Sequence, residues 1–205
     1  MADRRRFVTA DLDPGLGYKL MTGLVVPRPI GWIGSRAADG TNNLAPYSFF
    51  NGVSSQPPLV MFSPTAQPVV RKDTLSNVRE TGVFSVNIVD RAHAERMNAT
   101  AATAPADVDE FELADIGRAE CEAIDAPKVA SVPAVLECDV VKIVDLAEVG
   151  TDSVVVFGRV VAFDIEDRLV DDHLRIDGDE LDAIGRHAGA TYSLTRQRFD
   201  VIRPE

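Results

Sequence analysis

The chain has 205 residues, 45% apolar and 26% charged, with a formal net charge of −11 and a pI near 4.7. That length supports one sizeable core and leaves little room for two full domains. The acidic balance repels phosphate backbones and anionic bilayers, which argues against nucleic acid or membrane partners, and no apolar run approaches the ~18–20 residues of a spanning helix.

No apolar stretch follows the basic start MADRRR, so no signal peptide is expected. Cys121 and Cys138 stand in no CxxC arrangement and read as reduced thiols. The expectation is a soluble cytoplasmic protein whose single domain spans residues 1–205, with residues 1–17 a polar extension. Within that extension Asp13-Pro14-Gly15 is a turn signal, and Tyr18 to Gly23 is ambiguous. Strands are expected over Leu24–Val26 and Gly31–Ser35. Between them Pro27 and Pro29 cannot donate to a ladder, which puts PRPI at a strand edge or bend. Asp39-Gly40 is a hairpin signal. After Pro57-Pro58, Leu59–Ser63 reads as a short strand buried on both faces.

Asp73 caps an expected helix through Thr81, with Leu75 and Val78 inward and Gly82 as the stop. Val83–Val89 alternates as a half-buried strand, Phe84, Val86 and Ile88 on one face and Ser85 and Asn87 on the other. A second helix is expected from Asp90, carrying Ala94, Met97 and Ala101, followed by a short acidic helix or turn over Val108–Ile116. Ala134–Leu146 and Val154–Ile165 read as long strands separated by Gly150-Thr151-Asp152, of the length expected where strands curve around a small barrel. In the second, Phe157, Val161, Phe163 and Ile165 share a face with Arg159, which must find a partner or a rim position.

Few residues advertise chemistry. His93, His173 and His187 are dispersed; no spacing suits a metal ligand set, and no general acid–base or nucleophile constellation stands out. His93 reads as a helix-surface residue and His173 as part of an acidic loop. There is no GxGxxG after a strand, no GxSxG and no GxxxxGK[ST]. Two stretches are richer. Arg71, Lys72 and Thr74 place two cations and a hydroxyl at a helix start, where the dipole favours an anion; the plain alternative is a capped helix with solvated charges. Asn43-Leu44-Ala45-Pro46-Tyr47-Ser48-Phe49-Phe50-Asn51 mixes small residues, aromatics and hydroxyls in a way a core strand does not require, although a core strand explains Phe49 well.

The elements PRPIGWI, NLAPYSFF and RKDT, in that order, resemble the flavin reductase-like family of FMN-binding split β-barrels, with weaker likeness through FSVNIV, MNATAA and DEFEL. The resemblance implies a mainly β fold, an FMN-binding split β-barrel with inserted helices, and an oxidoreductase passing hydride from NAD(P)H to flavin. It implies FMN as cofactor, a homodimer with FMN near the interface, and a monooxygenase or redox partner. It places Trp32 near the flavin and gives Asn43, Leu44, Ala45, Pro46, Ser48, Phe49 and Asn51 to the ring slot. Arg71, Lys72 and Thr74 go to the phosphate, and His187 and Tyr192 of the RHAGATY segment to the flavin mouth; Ser54, Ser55 and Ser63 have weaker claims. Two alternatives stay open: a flavoprotein that holds FMN and passes electrons to another protein, and a non-catalytic β-barrel binding module.

Overall fold

A computed structural model describes residues 2–13, 15–64, 73–102, 105 and 108–204. In chain order the elements are α1 (Leu16–Leu24), β1 (Gly31–Arg36), β2 (Asn42–Tyr47), β3 (Phe50–Ser55), β4 (Pro58–Phe62), α2 (Asp73–Thr81), β5 (Val83–Ile88), α3 (Ala94–Ala99), α4 (Glu110–Leu113), β6 (Arg118–Glu120), β7 (Pro127–Val129), β8 (Ala134–Asp145), β9 (Val154–Ile165), α5 (Gly178–Leu181), β10 (Ile184–Arg186) and β11 (Tyr192–Leu194). Seven strands form one antiparallel sheet in the order β2-β1-β5-β8-β9-β4-β3; β6–β7 and β10–β11 are separate hairpins.

The sheet curls around its own core. A single inner cluster takes Ile33 from β1, Ala45 and Tyr47 from β2, Val60 and Phe62 from β4, Phe84 and Val86 from β5, Cys138 from β8 and Val154, Val156 and Val160 from β9, and Phe50 of β3 packs against it. Every strand of the sheet therefore feeds one interior, and Leu75 and Val78 of α2 join it. Gly158 is part of this closure, because a Cβ there would lie 2.3 Å from the Phe84 ring. A second cluster lies on the outer side of β1 and β2, where Trp32 and Leu44 meet Met97 of α3, Phe111 of α4, Val129 of β7 and Ile184 of β10.

Helix α2, the Asp39-Gly40 turn and both long strands form as the sequence pattern predicts. Several expectations are corrected. Residues 16–24 are helical, so no strand forms over Leu24–Val26; the prolines that follow deny it a ladder, and the one bridge there joins Arg28 to Arg186. Strand β3, not foreseen, follows Ser48-Phe49. In β4 only Val60 and Phe62 are buried, so that strand has one buried face rather than two. Strand β5, expected half-buried, is buried on both faces: Ser85 donates to the Pro127 carbonyl at 2.6 Å, and Asn87 donates to the Trp32 carbonyl (2.9 Å) while accepting from Val129 N–H (2.8 Å). Helix α3 starts at Ala94, because the Asp90 carboxylate accepts the His93 N–H and holds a turn there.

In β9 the inward face is Val154, Val156 and Val160, whereas Val161 and Phe163 point outward with 43% and 56% exposure. Arg159 shares that outer face and finds the partner expected of it, its Nε donating to Asp139 at 3.1 Å. His93 is only 8% exposed rather than a surface residue, its ring held between Asp90 (2.6 Å) and Ser131 (2.8 Å). Among the described residues no helix is long and apolar enough to cross a membrane, and no group of three or more His, Cys, Asp or Glu could hold a metal ion.

Candidate functional site

The proline-flanked segment Pro27-Arg28-Pro29-Ile30 is where separate parts of the chain are tied together. Its backbone exchanges two hydrogen bonds with β10: Arg28 N–H donates to the Arg186 carbonyl (3.0 Å), and Arg186 N–H to the Arg28 carbonyl (2.8 Å). The approach is close enough that a Cβ on Gly185 would fall 2.6 Å from Pro27 Cβ, so this position needs glycine. Hairpin β10–β11 is also fixed from the other side by the Asp90–Ala183 bridge and by Ile184 N–H donating to the Val89 carbonyl (3.1 Å).

The Arg28 side chain, only 6% exposed, is the hub. Its Nη1 donates to the Thr22 and Val25 carbonyls at the end of α1, both at 2.9 Å. Its Nε donates to Ser48 Oγ (3.3 Å), and its Nη2 to the His187 carbonyl (3.2 Å). One guanidinium fork therefore joins α1, the β2–β3 turn and the chain after β10. A guanidinium suits this role because its donors radiate in one rigid plane.

These tied segments enclose a cavity of about 510 Å3. Ile30, Pro46 and Met97 give it apolar wall; Arg28, Ser48, Asn98, Arg186 and Tyr192 supply polar atoms, and Tyr18 and Thr22 of α1 close one side. Arg186 lies with its guanidinium 4.5 Å from the Tyr192 ring centroid and donates to the Tyr192 hydroxyl and the Gly189 carbonyl. Two arginines around one cavity make a local positive spot on a chain of net charge −11, which favours an anionic ligand.

The structure brings four of the sequence-predicted site residues together here: Pro46, Ser48, His187 and Tyr192. Others are placed elsewhere. The Trp32 side chain has no exposed surface and donates Nε1–H to Thr100 Oγ1 (2.9 Å), so it packs in the outer core and does not line this cavity. Leu44 is equally buried, and Ala45 turns into the inner cluster. Asn43 is occupied inside the protein, donating to Glu110 (2.9 Å) and accepting from Thr74 Oγ1 (2.5 Å). Thr74 thus spends its hydroxyl inward and has no exposed surface. Phe49 stands beside the site, its ring centroid 6.0 Å from the Arg28 guanidinium, without lining the cavity. Asn51 is exposed on β3, its side chain accepting from the Gly52 N–H, and Ser54 and Ser55 share that exposed strand. Arg71 and Lys72 lie outside the described residues.

Sequence reasoning missed Arg28, Tyr18, Thr22 and Asn98. A charge held between two prolines at the edge of an apolar run was the available signal for Arg28. It also missed Glu110, which is 6% exposed and accepts from Leu44 N–H (3.0 Å) as well as from Asn43. Burial pushes this carboxyl above the usual glutamate range, although those donors oppose the shift. Glu110 thereby anchors α4 to β2, the strand that delivers Pro46 and Ser48. No activated nucleophile and base stand together in the cavity; what it offers is an apolar slot, hydrogen-bond donors and positive charge, the equipment for holding a planar anionic group.

The curled seven-stranded sheet with helices inserted is a split β-barrel, the fold of a split-barrel-domain protein from Shewanella frigidimarina (TM-score 0.86, 20% identity, covering 98% of this chain and all of that one). Residues 22–182 match the flavin reductase like domain model, and the chain belongs to that family. Two solved structures are more similar in sequence. Nitrilotriacetate monooxygenase component B from Bacillus cereus superposes with a TM-score of 0.93 at 32% identity, over 98% of this chain and 100% of that one. The 2-nitrobenzoate 2-nitroreductase NbaA from Pseudomonas fluorescens does so with a TM-score of 0.88 at 32% identity, over 98% and 96%.

Proposed function

We propose that the chain is an FMN-dependent oxidoreductase that accepts hydride from NAD(P)H and holds the flavin in the Arg28 cavity. The observation that carries this reading is that the PRPI segment, Pro46 and Ser48 of NLAPYSFF and the RHAGATY segment, far apart in sequence, meet around one cavity in a chain of the flavin reductase like family. The residues present suit the cofactor. The volume lies within the ~300–1,000 Å3 range of cofactor sites, the apolar walls suit a flat ring, and Ser48, Tyr192 and the arginines provide donors for its heteroatoms. Flavin, when bound, supplies the two-electron chemistry. The protein's task is to position it, keep water from its apolar face and draw in a phosphate-bearing donor, for which Arg186 and His187 stand at the cavity edge. The family likeness of RKDT favours Lys72 and Arg71 as the phosphate grip. On that basis Lys72→Ala weakens FMN binding by ~1.5–3 kcal/mol, the value of a hydrogen bond to a charged group.

The site is proposed to be completed in a homodimer. Helix α1, which forms one cavity wall, leaves Leu24 80% and Val25 58% exposed, apolar surface of the kind that a second copy covers. A mass of one chain by light scattering, with flavin bound, would refute that arrangement. A reducing cytoplasmic setting accords with free Cys121 and Cys138. NAD(P)H oxidation with and without added free FMN tests the activity: stimulation by free flavin marks a reductase that releases reduced flavin to an oxygenase partner. The similarity to NbaA favours a second reading, in which the protein is a nitroreductase whose cavity would hold both the flavin and a nitroaromatic acid; turnover of 2-nitrobenzoate with NAD(P)H and without added free flavin distinguishes it.

A further inference from the structure

Away from the Arg28 cavity, Asp90, His93 and Ser131 form a hydrogen-bonded chain in which the flavin site has no part. His93 Nδ1 lies 2.6 Å from Asp90 Oδ1, and His93 Nε2 lies 2.8 Å from Ser131 Oγ. A carboxylate only accepts, so in the neutral ring the proton sits on Nδ1, and Nε2 is left to accept from the serine hydroxyl. Burial is graded along the chain in the same sense. The Asp90 and His93 side chains are 15% and 10% exposed, whereas Ser131 is exposed in the turn between β7 and β8. The imidazole is fixed by more than its two bonds: Asp90 Oδ1 also accepts the His93 N–H at 3.0 Å, and the Trp32 ring stands beside it with centroids 6.4 Å apart.

Carboxylate, imidazole and hydroxyl in that order, with the hydroxyl at the open end, is the arrangement that activates a serine nucleophile, and it is recognised by geometry and not by order along the chain. A histidine that only capped α3 has no need of a second bond to an exposed hydroxyl 38 positions away. The N–H groups of Ser131 and Val132 make no backbone hydrogen bond among the described residues, which leaves donors beside the nucleophile for a developing oxyanion. We infer that Ser131 is a nucleophile, His93 its general base and Asp90 the positioning residue that orients His93, in a second site that cleaves small, neutral acyl esters. A neutral acyl group is favoured because the chain carries a net charge of −11 and Asp90 stands behind the imidazole. A small one is favoured because an exposed turn provides little surface to hold a large group. In the reaction Ser131 Oγ attacks the ester carbonyl as its proton passes to His93 Nε2. The bond from the acyl carbon to the alkoxide oxygen breaks, and His93 returns the proton to that oxygen, freeing the alcohol. Water then attacks the acyl-serine by the same route, releasing the acid and restoring the hydroxyl. No step involves the flavin, so this site stands or falls independently of the hydride-transfer reading.

The test uses the full chain with FMN present, a small alkyl fluorophosphonate, which phosphonylates an activated serine with loss of fluoride, and 4-nitrophenyl acetate as the ester. Intact mass and peptide mapping are expected to show one adduct, on Ser131. Ser131→Ala, at an exposed position, should keep the natural Tm and FMN affinity, take up no probe and lose about 100-fold or more in ester turnover. His93→Gln keeps a hydrogen-bonding head that cannot take up a proton, and labelling of Ser131 should slow by about 100-fold. In Asp90→Asn the limiting rate of labelling should fall about ten-fold or more at an unchanged half-saturating probe concentration, a split that loosened packing alone does not produce. Absence of an adduct in the natural protein, an adduct at another residue that persists in Ser131→Ala, or ester turnover that survives that substitution overturns the assignment. So does an undiminished labelling rate in His93→Gln; if that variant does not fold, the Ser131→Ala result decides.

Discussion

Replacing Arg28 tests whether the cavity is held together as described. In Arg28→Ala the two short bonds to the Thr22 and Val25 carbonyls disappear, along with the longer ones to Ser48 and the His187 carbonyl. Bonds from a charged donor contribute ~1.5–3 kcal/mol each, but their losses are not additive, and water can enter from the cavity to meet the abandoned carbonyls. A net loss of about 2–4 kcal/mol is therefore expected, which for a chain of this size is roughly 5–12 °C in Tm. Three cavity walls lose their common tie at once, so FMN affinity should fall by at least about ten-fold. Arg28→Lys should rescue neither quantity, because an ammonium cannot serve four acceptors spread around a planar fork. Thermal unfolding of the apo-protein and FMN fluorescence titration read the two effects separately. Natural Tm and FMN affinity in the Lys variant would refute the reasoning.

Trp32→Phe should lower stability by ~1–3 kcal/mol through loss of the buried bond to Thr100 while leaving FMN affinity unchanged, as thermal melts and titration will report; a selective loss of flavin would return Trp32 to the ligand slot. Glu110 has its folded-state pKa raised above the ordinary 4.5, so the unfolded chain ionises first and the folded protein loses stability as pH rises from about 4.5 through the folded value. Glu110→Gln lacks that slope, and the Tm advantage of the natural protein over the variant should shrink between mildly acidic pH and neutrality. Burial pushes the Cys121 thiol up to about 12 and the Cys138 thiol higher still, so a thiolate-specific reagent should label neither at neutral pH until the protein unfolds.

Much of the architecture was legible because periodicity and punctuation agree in this chain. The Asp73 start and Gly82 stop bracket α2, and the alternation of Phe84, Val86 and Ile88 fixes the inner face of β5. The failures share a cause. Ser85, Asn87 and Glu110 read as solvent-facing because polar side chains usually are, and Asn43 and Thr74 as ligand-facing, yet here they bond to one another and to backbone inside the protein. Such pairings join residues as many as 67 positions apart, as between Asn43 and Glu110, and leave no local trace. In β9 the larger apolar residues lie on the outer face and small valines fill the interior, since Phe84 already occupies the space over Gly158. Of the site, Pro46 and Ser48 of NLAPYSFF and His187 and Tyr192 of RHAGATY could be read from the chain. The place of Arg28 between two prolines was visible, but its role as hub was not, because its four acceptors come from three separate segments.

The most direct test of the account is to titrate flavin-free protein with FMN and follow the absorption band near ~450 nm and the flavin fluorescence. The account predicts saturable binding of one FMN per chain, weakened by substitution of Arg28 and unaffected by substitution of Trp32. A protein that binds no FMN, or binds it equally well after Arg28→Ala, would contradict the assignment of this cavity to the flavin.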